Sequence, residues 1–290
     1  MRNYAYRLVN VFAEAPLAGN PLAVFEDGRG LDDAAMQALA LQFNLSETTF
    51  VLPSTRATAR VRIFTPTFEM PFAGHPTLGS AHVVRELAGG GDAVELEMQA
   101  GIIPVSAAGD VWTLQANAAK HRPATATREA LAAMLGLAPA DLAPADVAPP
   151  LWVDTGSEQL VIPLASAEAV HRAAPRPDLV QKHGSNGTRA MAYIWAPDPE
   201  RSAQEGREAI TARFFFPKHG AIIEDPGTGS ACANLGGWLL ATASALPRHF
   251  DIAQGDAVGR PCRLLLDVGR DHAIRVSGRV IELGRGSVRL

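Results

Sequence analysis

Two stretches of the chain, roughly half its length apart, follow one plan, and this repetition constrains the fold more than any single residue does. Arg62, Ile63, Phe64, Thr65 and Pro66 lead through Glu69 to Phe72, Ala73, Gly74, His75, Pro76 and Thr77. Arg213, Phe214, Phe215, Phe216 and Pro217 lead through Glu224 to Asp225, Pro226, Gly227, Thr228, Gly229 and Ser230. Matching the first glycines, Gly74 and Gly227, which stand 8 and 10 positions after the proline, sets Ser80-Ala81 beside Ser230-Ala231. Each copy reads as a strand, a glycine-bearing turn and an alanine-rich helix. Glycine lets the backbone bend close to a ligand. The first amides of a helix have no partner within it, so such a turn favours a carboxylate or a phosphate. The structural alternative is ordinary turn and cap chemistry, at which Asp, Pro, Gly, Ser and Thr all excel.

Two similar halves in 290 residues imply two domains of ordinary size. The expected division is a first half over 1–118, a linker with one helix over 119–150 and a second half over 151–290. The terminal strands are candidates to cross over. The middle segment stands apart because alanine and proline dominate it. With 47% hydrophobic and 19% charged residues the chain can bury a core. A net charge of −4 and a pI near 6.1 offer nucleic acid no electrostatic footing. The opening residues lack the apolar core of a signal peptide, and no run approaches the ~18 apolar residues that span a bilayer. The expectation is a soluble cytoplasmic protein with neither nucleic-acid nor membrane partner.

Strands are expected from Tyr4 to Phe12, Leu22 to Phe25, Leu45 to Pro53 and Ala57 to Thr65, with one helix starting at Asp32 and Asp33 and ending near Asn44 and another from Thr77 to Leu87. In the second half, strands over 151–154, 160–163 and 190–195 precede the Asp225 turn and its helix. Short strands then finish the chain, His272 to Val276 and Arg279 to Leu283 among them. Short strands with one long apolar helix per half point to an α+β fold in which a barrel-like sheet wraps round a central helix.

Glu47 stands where an apolar strand begins, beside Phe50, Val51 and Leu52. It reads either as a solvated charge at a helix-to-strand junction or as a carboxyl whose burial suits it to general acid–base work near neutral pH. His75 sits at a helix start, where the dipole disfavours the cation, and a neutral imidazole can donate or accept a proton. It could equally hydrogen-bond its own turn and do nothing more. No metal is expected: His75, His82 and His219 have no ligand spacing, and no acidic cluster completes a set. Cys232 and Cys262 make neither a disulfide framework nor a CxxC pair. Ser230, His75 and Asp225 contain the residue types of a serine hydrolase, but no GxSxG elbow is present. The Gly227-Thr228-Gly229 turn lacks the lysine that a nucleotide phosphate would want.

Six motifs occur in order: Gly19-Asn20-Pro21-Leu22-Ala23-Val24, Asn44-Leu45-Ser46-Glu47-Thr48, Arg62 to Pro66, Phe72 to Thr77, Glu224 to Ala231, and Gln254-Gly255 with Gly259-Arg260-Pro261. In these the chain resembles the phenazine-biosynthesis isomerase family (PhzF-like). The resemblance spans nearly the whole sequence and is poorest over about 120–150 and near 200. It implies the diaminopimelate epimerase-like fold of two pseudo-symmetric halves with a site in the cleft between them. It implies cofactor-independent proton transfer on a small carboxylate-bearing metabolite, for example a 1,3-shift, and a homodimer. Residue by residue, it implies a catalytic Glu47 aided by His75, Asp225 and Ser230. Gly74 and Gly229 would be amide donors to the carboxylate, and Thr228, Asn20, Gly156 and Ser157 would line the pocket. Related two-thiol racemases carry a cysteine in each turn. Ala73 and Pro226 precede the glycines here, and Cys232 reads as packing.

Overall fold

The computed structural model describes residues 1–218 and 220–290. His219, weighed above as a metal ligand, lies outside the described residues. In chain order the elements begin with β1 (Asn3–Val11), β2 (Asn20–Phe25), α1 (Asp33–Phe43), β3 (Glu47–Leu52), β4 (Ala59–Phe64) and β5 (Glu69–Met70). They continue with α2 (Gly74–Leu87), β6 (Ala93–Met98), β7 (Gly101–Ala108), β8 (Val111–Gln115), β9 (Lys120–Pro123) and α3 (Arg128–Leu135). Next come β10 (Leu151–Asp154), β11 (Gln159–Pro163), α4 (Ala167–Arg172), α5 (Pro177–His183), β12 (Ala192–Pro197) and β13 (Glu208–Lys218). The chain ends with β14 (Ala221–Asp225), α6 (Gly229–Ala241), β15 (Arg248–Gln254), β16 (Cys262–Val268) and β17 (Ile274–Arg289).

Two compact units result. The first holds Met1–Gln115 with Ser277–Leu290, and the second holds Ala116–Val276. The segment 119–150, read from sequence as a linker, is built into the second unit. Its β9 pairs with β10, and α3 buries Leu131, Ala132, Met134 and Leu135 in that unit's core. The two strands expected after His272 are one continuous strand, β17, and its last residues belong to the first unit.

In the first unit, β1, β2, β3, β4, β6, β7, β8 and β17 pair in succession, and β17 pairs back to β1, closing the ring. Helix α2 packs on strands β1, β2, β3, β4, β6 and β8, and every residue from Gly74 to Val84 is buried. A helix buried all round must be apolar or finely packed. Gly79, where a side chain would meet Leu22 and Val11, is one of the close approaches. Outside the ring, α1 covers Phe25, Phe50 and Phe64 with Met36, Leu39 and Ala40. It starts on Asp32, whose side chain accepts from the Ala35 amide, and ends on Asn44 in the left-handed region.

The second unit repeats the pairing order. In the first unit β1·β2 is antiparallel, β2·β3 parallel, β3·β4 antiparallel, β4·β5 a hairpin and β4·β6 parallel. In the second, β10·β11, β11·β12, β12·β13, β13·β14 and β13·β15 follow in the same senses. Helix α6 packs on β9, β10, β11 and β16. The duplication read from sequence is therefore structural, but its register differs. Both central helices begin on a glycine, so Gly74 corresponds to Gly229 rather than Gly227, and Ser230 corresponds to His75 rather than Ser80. Strand β14, which carries the chain to Asp225, was not foreseen.

Candidate functional site

Each unit gathers polar residues at the start of its central helix, and each cluster is assembled by the same strands. In the first unit the parallel pairing of β2 with β3 sets Leu22 opposite Glu47. The opening residues of both strands thereby reach the first turn of α2. Glu47 Oε2 lies 3.4 Å from His75 Nε2, with the two side chains 15% and 6% exposed. On the other edge of the ring, Asn20 Nδ2 is 3.4 Å from Nδ1. The imidazole also hydrogen-bonds the Pro21 backbone, whose sole polar group is a carbonyl. Since Nε2 makes no hydrogen bond among the described residues, that bond belongs to Nδ1. Nδ1 thus has an amide donor and a carbonyl acceptor beside it, and both neutral tautomers of the ring find a partner.

Burial pushes the His75 pKa down to about 3, against the smaller opposing pull of the Pro21 carbonyl. The second position of a helix is also where the dipole resists a cation. His75 is a neutral imidazole at physiological pH. Of the two readings open for Glu47, the solvated charge does not describe its position: the carboxyl faces a buried ring.

In the second unit, Asp225, Pro226, Gly227 and Thr228 join β14 to α6. Thr228 is of a type that caps helices, yet its side chain makes no cap. Its hydroxyl instead donates to Asp225 Oδ2 and accepts from Gln254 Nε2 at 3.0 Å. Gln254 Nε2 also donates to the Asp225 carbonyl, 2.8 Å away. The N-cap of α2, Ala73, has no capping side chain either. By contrast α1, α3 and α4 are capped by Asp32, Thr127 and Ser166. Both central helices therefore begin without side-chain caps, the condition under which first-turn amides can meet an anion.

Ser230, second residue of α6, accepts a hydrogen bond from Gln159 Nε2 at 2.9 Å. Gln159 opens β11 as Asn20 opens β2, so each unit braces the second residue of its central helix from the equivalent strand. The match ends there: β3 opens on Glu47, whereas β12 opens on Ala192. Gly156 and Ser157 lie in the turn between β10 and β11. The Gly156 amide is bonded to Asp154, and the Ser157 carbonyl accepts from Asn234. Sequence alone assigns no role to Gln159 or Asn234, and Gln254 enters only as part of a motif. A strand pattern that predicted burial at 159 and 254 would have marked each glutamine as a buried amide needing partners.

Cys232 is fully buried, and desolvation pushes its thiol well above the ordinary range, in keeping with packing. His82, Glu86 and Glu282 come within ligand distance of one another. However, Arg7 pairs with both glutamates and with Glu26, so the negative charge there is already met. No helix among the described residues is long and apolar enough to cross a membrane.

The repeated units, each with strands round a buried helix, define an α+β epimerase-like fold. A solved structure described as a predicted epimerase from Pseudomonas aeruginosa superimposes with a TM-score of 0.80 at 33% identity, covering 99% of each chain. The family model for phenazine biosynthesis-like proteins matches residues 9–286. An uncharacterised isomerase from Pasteurella multocida is 40% identical over 98% of this chain and 94% of its own. A trans-2,3-dihydro-3-hydroxyanthranilate isomerase from Pseudomonas fluorescens is 32% identical over 99% of each. The chain belongs to the phenazine biosynthesis-like (PhzF) family and is an isomerase.

Proposed function

We propose that the isomerase moves a proton from one carbon of a small carboxylate-bearing metabolite to another, with Glu47 as the general acid–base group. The observation that carries this reading is the pairing of Glu47 with a buried, neutral His75. A base that takes a proton from carbon must survive in two states, carboxylate and acid. With its hydrogen on Nδ1 and donated to the Pro21 carbonyl, the neutral ring turns the Nε2 lone pair toward Glu47. When Glu47 has collected a proton, Nε2 is placed to accept a hydrogen bond from it, and the ring stays uncharged. The carbon–hydrogen bond breaks toward Glu47, the electron pair shifts along the substrate, and the same carboxyl returns the proton further on. Placement of such a group is worth about 10²–10⁴-fold in rate. The uncapped starts of α2 and α6 support recognition of an anion, and Asp225 is assigned as a polar partner for substrate.

The serine-hydrolase reading has less support, because the neighbour of the Ser230 hydroxyl is an amide nitrogen rather than a base. A non-catalytic acid binder would need no carboxyl set against a buried imidazole. With the compound named for the Pseudomonas fluorescens relative as trial substrate, turnover in D₂O places deuterium at the newly protonated carbon. Glu47→Gln is expected to reduce that incorporation by at least 10²-fold while leaving binding within a few-fold. Undiminished exchange in the variant would falsify the assignment of Glu47.

A further inference from the structure

The hydrogen bonds behind Ser230 have a direction that can be read without ambiguity, because the chain of partners ends on a backbone N–H. The Thr155 amide, which can only donate, gives its hydrogen to Asn234 Oδ1 at 2.9 Å, and the Thr155 hydroxyl reaches the same oxygen at 2.7 Å. That fixes which end of the Asn234 amide is oxygen. Its nitrogen then donates to the Ser157 carbonyl at 2.8 Å and to Gln159 Oε1 at 2.9 Å, using both hydrogens. With its oxygen so held, Gln159 can present only its nitrogen to Ser230, 2.9 Å away. Asn234 and Gln159 are 0% and 3% exposed, so water does not relax this order.

We infer that Asn234 and Gln159 are positioning residues that commit the Ser230 hydroxyl to act as a donor toward substrate. A hydroxyl has one hydrogen. Because Gln159 supplies a donor to its oxygen, the Ser230 hydrogen must point away from the relay, and Ser230 is partly exposed. The acceptor this selects is an anionic oxygen such as a substrate carboxylate, a group that donates nothing and gains from a charge-assisted bond. The inference rests on the proposed recognition of a carboxylate-bearing substrate.

Titration with benzoate, a plain carboxylate probe, tests it in four proteins: wild type, Ser230→Ala, Gln159→Leu and the double variant, with thermal unfolding followed alongside. Ser230→Ala is expected to weaken benzoate about tenfold, the effect of losing about 1.4 kcal/mol. Gln159→Leu is expected to weaken it several-fold in the wild-type background and not at all in the Ser230→Ala background. A purely structural Gln159 would lower the melting temperature but affect binding equally in both. Gln159→Glu supplies a second readout should the leucine variant not fold. Its ionised form takes the Ser230 hydrogen, and its protonated form restores the original direction, so benzoate affinity should recover as pH falls from 8 toward 6. Unchanged affinity in Ser230→Ala overturns the carboxylate reading and the relay with it. A loss in Ser230→Ala with no coupling to Gln159, or a flat pH response in Gln159→Glu, overturns the relay alone.

Discussion

His75 shows how one residue's surroundings reverse its usual behaviour. An ordinary imidazole has a pKa near 6.5, but burial holds this one near 3. Below pH 6.5 the unfolded chain takes up a proton that the folded chain refuses, so folding loses stability as pH falls toward 3. The contribution is complete above 6.5 and shrinks by about 1.4 kcal/mol per pH unit in the window between the two values. Urea titrations at pH 6.5 and 5.5 should therefore show a drop in wild type that is smaller by about 1 kcal/mol in His75→Gln. An equal drop in both proteins would mean that the ring titrates normally. The motif brought Glu47 and His75 to notice as separate residues 28 positions apart. It could not say that they touch, since contact depends on the parallel register of β2 with β3.

At the scale of elements, the repeated motif has a mechanical purpose. Arg62 binds Glu69 across the β4·β5 hairpin with contacts of 2.6 and 2.7 Å and lies over the Phe64 ring. Arg213 binds Glu224 across the β13·β14 hairpin at 2.7 and 3.1 Å and lies over Phe215. Each pair braces the hairpin that delivers the chain into a central helix. Arg213 further donates to the Val170, His171 and Ala173 carbonyls at the end of α4. The Arg213 and Glu224 side chains are 13% and 7% exposed, so removing one partner strands the other with little water. Arg213→Met should lower unfolding free energy by roughly 3 kcal/mol or more, measured by urea titration, and a loss below ~1 kcal/mol would show that the brace is dispensable. Sequence placed these arginines and glutamates in matching positions. It misaligned the following glycines because the second hairpin is longer, 11 positions from Arg213 to Glu224 against 7 from Arg62 to Glu69, and helix starts depend on hydrogen bonds that residue counting does not see.

For the whole molecule, the decisive element is the last strand. Residues 277–290 close the first unit's ring, with β17 pairing to β1 from Val280↔Val11 through Arg289↔Asn3. The Arg279 guanidinium also meets Asp110. A chain ending at Val276 leaves the backbone groups of β1 and β8 unpaired and exposes the apolar lining round α2. It should accumulate as insoluble protein, or as protein without a cooperative first-unit transition by circular dichroism. Soluble, cooperatively folded protein from that truncation would mean that closure of the ring is not needed for folding.

The amino-acid order alone established the duplication, the α+β class, the buried central helices and the short polar motifs. These follow from local periodicity and turn chemistry, which act over a few residues. The tertiary structure decided what those rules cannot reach. It incorporated the alanine- and proline-rich middle into the second unit because α3 has an apolar face to bury. It carried β17 into the first because a ring of strands needs closure. It also set Glu47 against His75 and directed the Ser230 hydroxyl through two buried amides. Such contacts join residues far apart in the chain, and their geometry exists only once strand register is fixed.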